Sequence, residues 1–123
     1  MPLDQLLKEI EAGVEFFCVR REGRVVGVMG LQNVADVALI RHAYTLTAEQ
    51  GSGFGGALLE FLKKKTDRRL LVGTWKVATW AVRFYERRGF HLVSEPEKVR
   101  LLQRYWTVPD RQIDESVVLV LGE

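Results

Sequence analysis

The sequence predicts an α/β (α+β) fold, a mixed and mostly antiparallel sheet flanked by helices, and three observations predict it. Apolar residues recur at helical spacing in four stretches, and β-rich runs stand between them. Two of those runs straddle Arg21-Glu22-Gly23-Arg24, a hairpin turn sequence. The resulting order is α-β-β-β-α-β-α-β-α-β. With 123 residues, 47% hydrophobic and 28% charged, the chain has the size and composition of one globular domain covering residues 1–123.

Each element has its own signal. Leu3, Leu6, Leu7 and Ile10 have helical spacing, and Gly13 ends the pattern. Residues 14–20 and 25–31 are the hairpin strands. Residues 37–46 form a third strand, apolar on both faces (Val37 and Leu39 against Ile40 and Leu46), as a central strand is. A glycine-rich stretch follows, and then Phe54, Ala57, Leu58, Phe61 and Leu62 mark a helix running to about Thr66. Residues 70–75 are a short apolar strand. Residues 78–88 are a helix with Ala81, Phe84, Tyr85 and Arg88 on one side, closed by Gly89 and a hydrophobic contact from Phe90. Residues 90–94 are strand-like. Ser94-Glu95-Pro96-Glu97 is a capping box opening a helix to about Trp106. Pro109 marks a turn, and residues 117–121 are a closing strand.

Composition removes several classes of function. The 18 basic and 16 acidic residues leave +2, too little for a nucleic-acid partner. Lys63, Lys64, Lys65, Arg68 and Arg69 form a basic cluster of the kind that ends a solvated helix. Cys18, the only cysteine, sits in the apolar run Phe16-Phe17-Cys18-Val19 and is expected as a packed core thiol. His42 and His91 make no zinc signature, so no metal is expected. No apolar stretch approaches the ~20 residues of a membrane span, and the N-terminus has no signal-peptide design, so a cytoplasmic location without a membrane partner is expected.

The most informative stretch is Gln50-Gly51-Ser52-Gly53-Phe54-Gly55-Gly56, directly before a helix. Glycines let backbone N–H groups turn toward a ligand without Cβ obstruction. A helix start adds unpaired N–H donors and a positive dipole end, so the spot favours a phosphate. Ala57 follows Gly55-Gly56 where a P-loop needs Lys-Ser/Thr. The Gly51, Gly53, Gly56 spacing fits a dinucleotide fingerprint. However, it follows the third strand rather than the first, and Leu70, Leu71 and Val72 stand where that fold needs an acid.

Gln50-x-x-Gly53-x-Gly55 resembles the Gln/Arg-x-x-Gly-x-Gly/Ala motif of the GCN5-related N-acetyltransferases (GNAT). Ala81-Val82-Arg83-Phe84-Tyr85-Glu86-Arg87-Arg88-Gly89-Phe90 resembles that family's Ala-x-x-Phe-Tyr-x-x-x-Gly-Phe signature. The two come in the family's order, one strand apart. The resemblance runs from about residue 14 to 121 and implies the acyl-CoA N-acyltransferase fold, with acetyl-CoA as cofactor. It implies that Gln50, Gly51, Ser52, Gly53, Phe54, Gly55 and Gly56 hold the pyrophosphate. Tyr44, Thr45 and Leu46 would pair their backbone with the pantetheine arm, as a peptide adds to a strand edge.

The activity implied is transfer of the acetyl group directly to an amine of a small molecule or peptide. Tyr85 would protonate the departing thiolate; the same position also suits a plain core aromatic. The base is open. His42 has a fitting intrinsic pKa and shares a strand face with Tyr44 if no bulge intervenes, but it also suits a buried structural role; Glu49 is a second candidate. Thr74 and Trp75 would border the acceptor slot. Trp80, Tyr105 and Trp106 offer aromatic surface, and Arg100, Arg104 and Arg111 offer charge for an acidic acceptor or simply a solvated face.

Two departures stand out. Ala78 occupies the position where the family often has a CoA-contacting Asn. The family also usually has a strand and one or two helices before the hairpin, where this chain has only residues 1–13. The strand from Val14 to Arg20 would then be an edge rich in Val and Phe. A fragment, an upstream start or a covering partner subunit would each account for it, and a covering strand or homodimer contact on that edge is expected. The reading competing with an enzyme is a CoA-binding sensor or regulatory module without catalysis.

Overall fold

A computed structural model describes residues 3–45, 53–106 and 108–122. The chain divides into two compact units, Met1–Arg68 and Arg69–Glu123.

The first unit holds α1 (Leu3–Glu11), β1 (Val14–Arg21), β2 (Arg24–Val34), β3 (Val37–Thr45) and α2 (Phe54–Lys65). β1, β2 and β3 are antiparallel neighbours, with β2 in the middle. Glu22 and Gly23 both take positive φ between the paired ends Arg21 and Arg24, the two-residue hairpin geometry that matches strand twist. Val37, Ala38, Leu39 and Ile40 are buried in succession, so both faces of β3 are covered. On α2 the buried side chains are Leu58, Leu59 and Leu62. This corrects the expected stripe: Leu59 is in the core, whereas Phe61 is 48% exposed and lies against the Phe17 ring at 5.5 Å. α1 is packed shallowly, with no buried residue.

Cys18 is exposed rather than packed in the core. The run Phe16-Phe17-Cys18-Val19 is apolar at every position, so its pattern could not say which side chain turns outward.

β2 and β3 slip past one another near their centres. Val28 pairs with Tyr44, but Gly30 pairs with Arg41, so His42 and Ala43 together stand opposite Met29. This is a β-bulge in β3, with His42 in the left-handed region at φ 54°. The bulge breaks the simple alternation that would have put His42 and Tyr44 on one face. Residue 30 must be glycine for steric reasons. A Cβ there would stand 2.8 Å from Val14 Cγ1 and 2.9 Å from the Arg41 carbonyl oxygen.

The second unit holds β4 (Arg69–Trp75), α3 (Thr79–Glu86), β5 (Phe90–Leu92), α4 (Glu95–Tyr105), α5 (Asp110–Asp114) and β6 (Ser116–Leu121). β6 lies between β4 and β5, antiparallel to both. Leu70, Leu71, Val72, Leu101, Leu102, Ile113, Val118, Leu119 and Val120 form its core. The Ser94 hydroxyl caps α4 by accepting from the Glu97 N–H at 3.4 Å, while the Glu97 side chain turns instead to Arg100. The capping box is therefore half made. α5 was read from the sequence only as a turn at Pro109. Lys98 is buried, with its Nζ 2.9 Å from the exposed Glu95 carboxylate.

The close approach at residue 30 gives the first prediction. Gly30→Ala should lower stability by about 1–3 kcal/mol through overpacking, measured by urea unfolding. An unchanged midpoint would show that β2 and β3 are not so closely apposed.

Candidate functional site

The start of α2 opens on glycine. Gly53 is its N-cap at φ 91°, ψ −3°, and no side chain caps the helix. The first turn contains no acid to oppose the positive dipole end. An L-residue at that φ costs roughly 1–2 kcal/mol, so glycine suits the turn. A Cβ added to Gly53 would meet nothing within 4 Å. Gly55 and Gly56 continue the turn without side chains. Phe54 sits under the Arg21 guanidinium, 5.8 Å from ring centroid to Cζ, so a hairpin cation also stands beside the helix start. Leu46, Gln50, Gly51 and Ser52 lie outside the described residues. Tyr44 and Thr45 are the last residues of β3, opposite Val28 and Gly27.

His42 is held at the bulge by two neighbours. Its Nε2 is 3.1 Å from the Glu9 Oε2, with the side chains 27% and 21% exposed. Among the described residues Nε2 makes no hydrogen bond, so Glu9 is a close neighbour rather than a bonded one. The Phe16 ring lies 5.9 Å away, tilted. Glu9 was not legible as a site residue, because it comes from α1, far away in the chain.

In the second unit Tyr85 is 4% exposed, packed edge-on between Phe84 and Phe90 at centroid distances of 5.1 and 5.4 Å. Burial pushes its hydroxyl up from 10.0 to about 12. Full proton transfer from such a group to a thiolate of pKa ~8.5 is uphill by on the order of 5 kcal/mol. A neutral, hydrogen-bond-donating phenol is what this environment maintains. Thr74 is half-buried and Trp75 is 49% exposed at the end of β4. The Trp106 indole, from the end of α4, lies over Gly73, where a Cβ would be 3.5 Å from Cζ2. Val77 and Trp80 are 77% and 71% exposed.

Of the candidate arginines, Arg100 donates to Glu97 at 3.0 Å from Nε, and its guanidinium holds the Glu97 carboxyl below the usual carboxylate range. Arg104 lies over the Tyr105 ring at 5.1 Å, and Arg111 is exposed. In the basic cluster Lys63 pairs with Glu60 at 2.8 Å, and Arg68 donates to the Ala35 carbonyl at 3.0 Å. Among the described residues no three His, Cys, Asp or Glu side chains group so as to hold a metal ion. No described helix is long and apolar enough to cross a membrane.

Residues 12–92 match the family model of the acetyltransferase (GNAT) domain. The chain belongs to the GNAT family. The match spans both the glycine loop and the α3 signature. Solved GNAT structures share the fold. A GNAT family acetyltransferase from Elizabethkingia anophelis, with acetyl-CoA bound, superposes at TM-score 0.72 with 17% identity over 99% of this chain and 84% of its own. The ribosomal-protein-S18-alanine N-acetyltransferase of Escherichia coli gives 0.68 with 20% identity over 98% and 77%. The PaiA N-acetyltransferase of Thermoplasma acidophilum, in complex with coenzyme A, gives 0.71 with 16% identity over 98% and 70%. No curated protein matches by sequence. The expected acyl-CoA N-acyltransferase fold, with strands flanked by helices, is the fold of this GNAT chain.

Burial of Tyr85 has a measurable consequence. Its folded pKa lies above its unfolded one, so its contribution to stability is fully present below pH 10 and is lost as pH rises toward 12. In an ultraviolet phenolate titration, one of the three tyrosines should ionise near pH 12, and Tyr85→Phe should remove that step. Titration of all three together near pH 10 would contradict this burial.

Proposed function

We propose that this GNAT chain is an N-acetyltransferase that moves the acetyl group of acetyl-CoA directly to an amine. The observation that carries the reading is the start of α2, a helix opened by Gly53 with no acid in its first turn, no side-chain cap among the described residues and open space where a Gly53 Cβ would stand. Such a cradle fits a pyrophosphate. Structural relatives with acetyl-CoA or coenzyme A bound support the choice of ligand.

Acetyl-CoA supplies a thioester, whose carbonyl carbon takes the amine lone pair as the C–S bond breaks and a thiolate leaves. The N–H groups at Gly53, Phe54, Gly55 and Gly56, with Gln50, Gly51 and Ser52, bind the phosphates. The backbone of Tyr44, Thr45 and Leu46 orients the pantetheine arm. Tyr85 donates a hydrogen bond from its hydroxyl to the leaving sulfur; its raised pKa keeps it protonated at neutral pH. His42 takes the proton of the attacking amine, with the Glu9 carboxylate 3.1 Å from its Nε2. Thr74, Trp75 and Trp106 border the acceptor, a small-molecule or peptide amine, with apolar surface.

The test is acetyl-CoA titration by calorimetry on the wild type and on Gly53→Glu. The substitution places a carboxylate where an anion should sit, on a backbone that disfavours any side chain. Saturable binding that weakens at least tenfold in the variant is expected. No binding by the folded wild type would overturn the cofactor assignment. Binding without turnover on any amine, and with Tyr85→Phe indistinguishable from wild type, would replace the enzyme by a CoA-binding module.

A further inference from the structure

β1 is an edge strand whose composition does not protect it. It pairs with β2 on one side, and among the described residues no strand pairs with its other side. Natural edges are blunted by charges, proline or bulges within the strand. The middle of β1 is Phe16-Phe17-Cys18-Val19, with no charge and no proline, and the irregularity near Val19 adds its extra residue to β2 rather than to β1. The charges stand only at the ends, Glu15 at one and Arg20 and Arg21 at the other. Glu15, Cys18, Arg20 and Arg21 are all exposed.

That arrangement is complementary to itself when reversed. A two-fold axis relating adjacent antiparallel strands runs perpendicular to the sheet, so a residue must meet a partner on the same face. The register centred on Cys18 places Cys18 opposite Cys18, Phe17 opposite Val19, Phe16 opposite Arg20 and Glu15 opposite Arg21. Centring on Phe17 instead puts Glu15 opposite Val19, and centring on Val19 leaves Glu15 beyond the overlap; neither matches opposite charges. Arg21 keeps its place on the α2 face, over Phe54, and Glu15 falls on that same face three two-residue steps away.

We propose that β1 is an interface with a second copy of this chain, the two β1 strands pairing antiparallel about Cys18. The paired edges bury the apolar middle of each strand, and the symmetry makes each Glu15–Arg21 contact twice. The inference is independent of the acetyl-transfer reading.

Sedimentation velocity on the full chain tests it. A reversible species of twice the chain mass is expected. Glu15→Lys should weaken association roughly tenfold, since it turns two attractive cross-strand pairs repulsive, and Arg21→Glu should do the same. The double charge exchange should restore the dimer. Circular dichroism of the exposed-site variant Glu15→Lys separates loss of pairing from loss of folding. Opposite residues in an antiparallel pair have Cα atoms about 4.5 or 5.5 Å apart, inside the range a disulfide spans. Copper–phenanthroline, accepting two electrons from the two thiols as two protons leave, should therefore link the chains through Cys18, and Cys18→Ser should abolish the link. A monomer at every soluble concentration would overturn the proposal. So would a dimer that ignores both single charge changes, or one that never cross-links.

Discussion

A helix that begins without a cap leaves several N–H groups to be satisfied from outside, and the start of α2 is such a helix. Gly53 holds the left-handed turn that aims the chain into the helix, and among the described residues no side chain caps it by a hydrogen bond. Ordinary surface helices receive Ser, Asp or an acidic first turn at this point, as α4 does with Ser94, Glu95 and Glu97. α4 is closed by its own residues, whereas neither α2 nor α3 has a side-chain cap or an acid in its first turn, and of these two only α2 opens on glycines, at residues 53, 55 and 56. The proposed activity rests on that difference more than on any single side chain.

The rest of the first unit is arranged around a second constraint, the bulge of β3 against Gly30. Without a Cβ at residue 30, the Arg41 carbonyl and the Val14 side chain can close in, and the extra residue of β3 is absorbed at His42. The cost is a histidine in the left-handed region, roughly 1–2 kcal/mol. Strain of this kind persists where surrounding packing over-determines it and is common at functional sites. Here the surroundings are Glu9 and Phe16, which hold the imidazole close to the strand end that leads into the glycine loop. Tyr85, in the second unit, is tuned by burial alone: packing between two phenylalanines makes it a poor acid but a persistent donor.

What was legible in the sequence is what is local. Helical spacing located α1 to α3, the Glu22-Gly23 turn located the hairpin, the capping-box sequence at Ser94 located α4, and Gly89 marked the end of α3. The glycine loop and the α3 signature pointed to the family, which the match over residues 12–92 bears out. What escaped depends on partners distant in the chain. α5 is one turn long, too short for a period to appear. The bulge is decided by contacts among Gly30, Val14 and Arg41, and Glu9 reaches His42 from another element. The outward turn of Cys18 and the burial of Leu59 in place of Phe61 share one cause. In short stretches where apolar residues stand side by side, such as 16–19, 58–59 and 61–62, periodicity does not name the buried face.

The central claim is that backbone N–H groups at the start of α2 hold the phosphates of coenzyme A. The most direct measurement follows the amide resonances of a 15N-labelled chain as coenzyme A is added. The account predicts saturable shifts that are largest at Gly53, Phe54, Gly55 and Gly56, with small changes in α4. Binding with those four amides unmoved, or no response to coenzyme A by the folded chain, would contradict it.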